Sequence, residues 1–163
     1  MSITSAVTEL LDQHNIRYEI ITIALSEDQK PIRSLEAQLS EQGKDPNSVV
    51  RSLLFKTGSD TFVLLAVAGT GRADWAILRK QLGEKKLRMA DYDEVPSATG
   101  YVVGAVPPIA LPESVTVLAD NSAFDFDDVI VGSGVLGYAI GLKSSDLKHV
   151  MSQVISGDFI KKD

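Results

Sequence analysis

Few side chains here can do chemistry. The chain has no cysteine and only two histidines, His14 and His149. Thiol nucleophiles, disulfides and cysteine metal sites are therefore excluded. No serine elbow, P-loop, kinase signature or zinc-spaced His/Cys set occurs. The run Asp125-Phe126-Asp127-Asp128 lacks the spaced ligands and glycine of a calcium loop, and it reads as a solvated strand entry. What remains is backbone donors and cations. In Thr99-Gly100-Tyr101-Val102-Val103-Gly104-Ala105-Val106-Pro107-Pro108 a turn leads into a short apolar strand, a second glycine and two prolines. Those prolines remove two N–H donors, so the segment cannot continue as a central strand. The pattern predicts either a bulge that ends a strand or a rigid ledge with free N–H groups around Gly104 and Ala105.

The cations fall in two places. Alternation over 49–56 puts Arg51 on one face with Val49, Leu53 and Phe55, while Lys56, near the strand end, reads as solvated. A charge among apolar neighbours is costly unless paired, so Arg51 meets an internal carboxylate or awaits an anionic ligand. Both readings stay open. From Arg72 to Arg88, six basic residues face two acidic ones. That window carries +4 and leaves −10 for the rest of a chain whose net charge is −6. It is a solvated helix face or a local phosphate-binding patch. The acidic total argues against broad attraction to nucleic acid, and DNA is not an expected partner.

The elements that must position these groups read as follows. Ile3, Val7, Leu10 and Leu11 share a helix face, with Ser2 or Thr4 as its cap. A strand is expected over 16–23, then a helix from Pro31 ended by Gly43. The strand at Val49–Phe55 is followed by a doubly buried one over 61–68. Asp74 caps a helix with Trp75, Leu78 and Leu82 inward, stopped by Gly83. A short strand at 86–89 and a small helix ended by Pro96 precede the ledge. After it come a strand at 114–118 and a hairpin over 129–142. Ser144 or Ser145 then caps a last helix with Leu147, Val150, Met151 and Val154 inward. His149 falls off that stripe, and His14 sits in the last turn of the first helix.

With 44% apolar and 23% charged residues, the 163-residue chain reads as one soluble domain spanning 1–163. No secretory signal or run of spanning length occurs, so a cytoplasmic protein without a membrane partner is expected.

The order of elements resembles a known family. Val49-Val50-Arg51-Ser52-Leu53-Leu54-Phe55, then Leu82-Gly83-Glu84-Lys85-Lys86-Leu87, then the Gly100–Pro108 stretch are similar to the YbaK/prolyl-tRNA synthetase-associated editing domain. The likeness runs from the first helix to Leu147. It implies a mixed α/β fold around a curved, largely antiparallel sheet flanked by helices. It further implies hydrolysis of the ester of mischarged aminoacyl-tRNA in trans, without a cofactor or metal. Aminoacyl-tRNA would be the partner, with a synthetase as a further one. Under the resemblance Gly104 and Arg51 are the catalytic positions, Arg51 standing where the family has lysine. Ile23, Ala105, Pro108, Gly132 and Ala139 contact substrate, and Arg72, Lys85 and Lys86 contact tRNA. Ile23, Gly132 and Ala139 replace polar family residues, which implies a small apolar amino acid or lost activity. The alternative reading is a noncatalytic tRNA- or synthetase-binding module.

Overall fold

A computed structural model describes residues 3–151 and 153–161. The chain begins α1 (Ala6–Gln13), β1 (Tyr18–Thr22), α2 (Leu35–Glu41), β2 (Val50–Thr57), β3 (Phe62–Ala68), α3 (Trp75–Leu82) and β4 (Leu87–Met89). It continues α4 (Glu94–Thr99), β5 (Val115–Asp120), β6 (Asp128–Gly132), β7 (Tyr138–Lys143), α5 (Ser144–Val150) and β8 (Ile155–Gly157).

The run of β3, FVLLAVA, is apolar on both sides, and such a strand must be covered on both faces. It lies at the centre of a five-stranded sheet of order β4-β2-β3-β5-β8. β2, β3 and β4 are antiparallel neighbours, whereas β5 runs parallel to β3 and β8 parallel to β5. A second sheet, β1-β7-β6, is antiparallel throughout. Val49 and Ile130 bridge in parallel where β2 and β6 meet, joining the two. The expected mixed α/β fold is present. Its strands divide into two sheets rather than one.

Alternation along β2 and β3 then fixes which side each residue serves. Leu53, Phe55, Leu65 and Val67 pack under α3 with Trp75 and Leu78, and with Phe159 and Ile160 from the C-terminal segment. Phe55 and Trp75 meet edge to face at 5.2 Å, an aromatic pair worth about 1 kcal/mol beyond its buried area. On the opposite face Val50, Ala66 and Ala68 join Val7, Leu11, Val131, Ile140 and Leu147. Farther along that face Leu54 and Leu64 pack against Val95, Ala98 and Val106.

Local capping follows the sequence in part. Asp74 accepts the N–H groups of Ala76 and Ile77, and Gly83 closes α3 at φ 66°. Gly43 follows α2 at φ 74°. The cap of α1 is Ser5 rather than Thr4, and Ser2 lies outside the described residues. α2 starts behind Ser34, because Pro31 bridges instead to Leu25. Pro96 does not end α4: proline is tolerated in a first turn, and the helix runs on to Thr99. Neither Ser144 nor Ser145 caps α5, whose cap position is Lys143. The helix stops at Val150, and the polar Ser156 and Gly157 join Ile155 in β8, which no sequence pattern announced.

Candidate functional site

The 101–108 segment is held by its ends. Thr99 Oγ1 donates to Val95 O at 2.7 Å and accepts from Tyr101 N–H at 3.1 Å. Tyr101 Oη donates to Ala110 O at 2.5 Å, stapling the segment into an arch. No strand among the described residues pairs with it. The expected short strand is therefore absent, and Val102 and Val103 face solvent. The N–H of Ala105 is not free: it donates to Val102 O at 3.1 Å and closes a turn. Gly104, exposed at φ 95°, has no protein partner for its N–H among the described residues.

Glycines set how closely the β6–β7 loop approaches. A Cβ on Gly132 would overlap Val106 O and lie 2.8 Å from its carbonyl carbon. Gly134 N–H donates to Ala105 O at 2.9 Å. A Cβ on Gly104 would sit 3.2 Å from Leu136 Cδ1. The buried Ser133 hydroxyl is spent within the loop, on Tyr138 O and Val135. Ile23 N–H donates to Gly137 O at 2.8 Å, which brings the end of β1 to the same place. Ile23 and Ala139 share a cluster with Ile21, Leu39 and Ile130 beneath α2, Gly132 pairs with Ala139, and Pro108 is buried. Gly104, Ala105 and Gly132 thus meet at one arch, with Ile23 and Ala139 as apolar support behind the loop. Leu136, which sequence spacing did not single out, lies against Gly104.

Arg51 looks elsewhere. Its neighbours along the strand, Leu53 and Phe55, belong to the α3 face, whereas Val106 packs on the opposite face. Arg51 lines a hollow of about 450 Å³ together with Gly71, Arg72, Trp75, Met89 and Lys161 among others, and none of its lining comes from the 100–108 segment. The expected common hollow of Arg51 and Gly104 is not formed, because period-two alternation turns Arg51 away from the arch. Arg51 Nη2 donates to Gly71 O at 2.5 Å, and Nε is buried without a partner. No carboxylate lies within ion-pair distance among the described residues, and burial lowers the guanidinium's pKa from its usual value.

Elsewhere charges are matched. Lys56 is not simply solvated: its Nζ lies 3.2 Å from Glu94 Oε2 and 3.6 Å from Asp60. Arg88 holds the same Glu94 at 2.7 Å, and this, with the Asp91 N–H and Lys56, lowers the Glu94 carboxyl to about 2. Lys85 and Lys86 are exposed and carry no ion pair among the described residues. Lys86 O accepts from Gly58 N–H, which fixes the start of β4. His14 is the C-cap of α1 rather than part of its last turn, and it meets His149 of α5 edge to face at 5.7 Å, a contact that sequence gave no sign of.

The arch of glycine and proline is thus backed by a two-sheet α/β scaffold. Residues 29–150 match the aminoacyl-tRNA editing domain, and the chain belongs to that family. A proline–tRNA ligase of Brachyspira hyodysenteriae is 30% identical over 132 residues, covering 81% of this chain. The chain spans about a fifth (21%) of that ligase. The multifunctional Ser/Thr-tRNA deacylase ProXp-y of Escherichia coli is 26% identical over 145 residues, covering 86% of this chain and 83% of that protein. Among solved structures, a hypothetical protein superposes with a TM-score of 0.80 at 21% identity, covering 96% of this chain and 100% of its own. A candidate trans-editing enzyme for prolyl-tRNA synthetase follows at 0.76 and 19% identity, covering 99% and 100%. These two likenesses bear on the fold. No described helix is long and apolar enough to cross a membrane.

Proposed function

We propose that this chain, as a single cytoplasmic domain, hydrolyses the ester of a mischarged aminoacyl-tRNA in trans. The observation that carries the reading is the unpartnered Gly104 N–H on a fixed arch, in a chain of the editing family. A donor held in place meets the oxyanion that forms at the attacked carbonyl without reorganising first. The ester would lie along Gly104 and Ala105 above Pro108. Ile23, Gly132 and Ala139 would limit the amino-acid side chain to a small apolar group. Water would be oriented by the substrate's own ribose hydroxyl, since no nucleophile–base pair stands at the arch. Arg72, Lys85 and Lys86 would hold the tRNA, with a synthetase as a further partner. This chemistry calls for no cofactor.

A panel of mischarged tRNAs tests it. At least one should be hydrolysed above its spontaneous rate, and Gly104→Ala should lower that rate about 10²-fold, the usual loss when one oxyanion donor is displaced. A full panel with no turnover sinks the proposal. A second reading, a tRNA-binding module without turnover, is favoured by one feature: Tyr101 Oη and Ser133 Oγ at the arch are both spent on internal bonds. Saturable, salt-dependent tRNA binding with an inert panel would select it.

A further inference from the structure

The chain has only two histidines, and they meet. His14 and His149 come from opposite ends of the sequence, and both are exposed. Their ring centroids lie 5.7 Å apart at an interplanar angle of 80°. The backbones that carry them are fixed from below. Val7 and Leu11 of α1 and Leu147 of α5 are fully buried in one apolar cluster, with Met151 just past α5 beside them. Both rings also sit where helices end: His14 is the C-cap of α1, and His149 falls in the last turn of α5. A helix C-terminus carries about half a negative charge on its unpaired carbonyls, so each of these two ends favours a cation nearby. Competing cations are few. The last turn of α1 has no basic residue, and Lys148, next to His149, holds its Nζ over the Phe124 ring at 5.6 Å from the centroid. Asp146, three residues before His149 on α5, adds negative charge to the same side of the helix.

Imidazole is a ligand suited to zinc, copper and nickel, whereas magnesium and calcium prefer oxygen. With a metal–nitrogen bond of about 2.1 Å, an ion shared by two rings lies about 3 Å from each centroid, and tetrahedral geometry then sets the centroids about 5 Å apart. The observed 5.7 Å is close to that separation. A shared ion must lie in both ring planes, and exposed side chains turn into such an arrangement within picoseconds to nanoseconds. We propose that His14 and His149 form a two-histidine site for a divalent transition-metal ion of the zinc and nickel class, with water in the remaining positions. Among the described residues no third His, Cys, Asp or Glu joins them, so the site is open rather than a closed structural one. The ion ties the end of α1 to the end of α5. It therefore favours the folded chain, where the rings are adjacent, over the unfolded one, where they are far apart. The site does not depend on whether the arch hydrolyses anything.

Calorimetric titration and thermal unfolding of the tag-free protein test this, with zinc chloride, nickel chloride and magnesium chloride as probes. The wild-type protein is compared with His14→Gln, His149→Gln and the double variant, each checked for folding by circular dichroism. Zinc should bind at one site per chain with a Kd below about 100 μM, and at about 10 times that Kd it should raise Tm by about 3–6 °C. Nickel should act in the same direction, and magnesium should do nothing. Each single variant should lose at least about 10-fold in zinc affinity, and the double variant should lose little more than either one. That non-additivity is the mark of one ion held by both rings. Two weak sites, each removed by one substitution, would mean that the rings bind separately and would overturn the proposal. So would the absence of any heat or Tm change with zinc up to about 1 mM, or a response that survives either single substitution.

Discussion

The arch at 101–108 and the hollow at Arg51 lie on opposite faces of one sheet and are built on opposite principles. At the arch, shape comes from the main chain. Glycines permit contacts that any side chain would prevent, and the polar groups of Tyr101 and Ser133 are matched internally. At the hollow, cationic side chains line the wall, and the charge is left unmatched. Geometry is thus spent on fixing a backbone donor on one side, and electrostatics on attracting an anion on the other. The two sides should therefore fail differently when altered.

The largest effect is expected at Gly132. A methyl there would overlap Val106 O and must push the arch off the β6–β7 loop. Overpacking of this kind costs about 1–3 kcal/mol, and here the atom struck is main chain, which yields less than a side chain. Gly132→Ala should lose about 3 kcal/mol in urea denaturation and abolish any deacylation. Gly132 is not at positive φ, so close approach alone is at stake there, whereas Gly43, at φ 74° with open space around it, provides the contrasting case of backbone strain alone. If the two glycine variants lose equal stability, close approach does not shape the arch.

The next effect concerns charge on the arch side of the sheet. Lys56 and Arg88 both hold Glu94 on α4, and its carboxyl is lowered to about 2. A carboxyl depressed in the folded state contributes stability that is present above its unfolded value, near 4.3, and is lost as pH falls through about 2. Glu94→Gln should therefore lower stability at neutral pH and flatten the acid limb of the stability profile between those values. Arg51, facing the other way without a carboxylate, should leave that limb unchanged when replaced by Gln. An unchanged acid limb in Glu94→Gln would mean that the arch side is no better matched in charge than the hollow.

Sequence carried one side of this contrast further than the other. The ends of α3 follow from Asp74 and Gly83, both local signals, and the two-sided apolar run of β3 already requires a covered central strand. Alternation put Arg51 with Leu53 and Phe55, and the structure keeps it there. What sequence could not supply was the face on which the arch would land, because that depends on Val106 meeting Leu54 and Leu64 rather than on any spacing. Lys56 looked solvated for the same reason: its partner Glu94 comes from a distant helix. The hollow was illegible in part because Lys161 reaches it only through the pairing of Ala73 with Ile160. The glycine–proline pattern pointed to donors at both Gly104 and Ala105, but it gave no sign that the Ala105 N–H would be consumed by a turn.

The smallest effect is expected at Lys85 and Lys86, and it decides whether either side extends beyond itself. Both are exposed and unpaired among the described residues, just past the end of α3, and neither lines the hollow or touches the arch. Each phosphate contact made by such a lysine releases about one counterion, so its loss lowers the slope of log affinity against log salt by about 0.7–0.9. Lys85→Glu/Lys86→Glu should weaken tRNA binding, reduce that slope by about 1–2 units, and leave stability unchanged. A slope that stays put would confine the cationic side to its hollow and remove the lysine pair from the tRNA path.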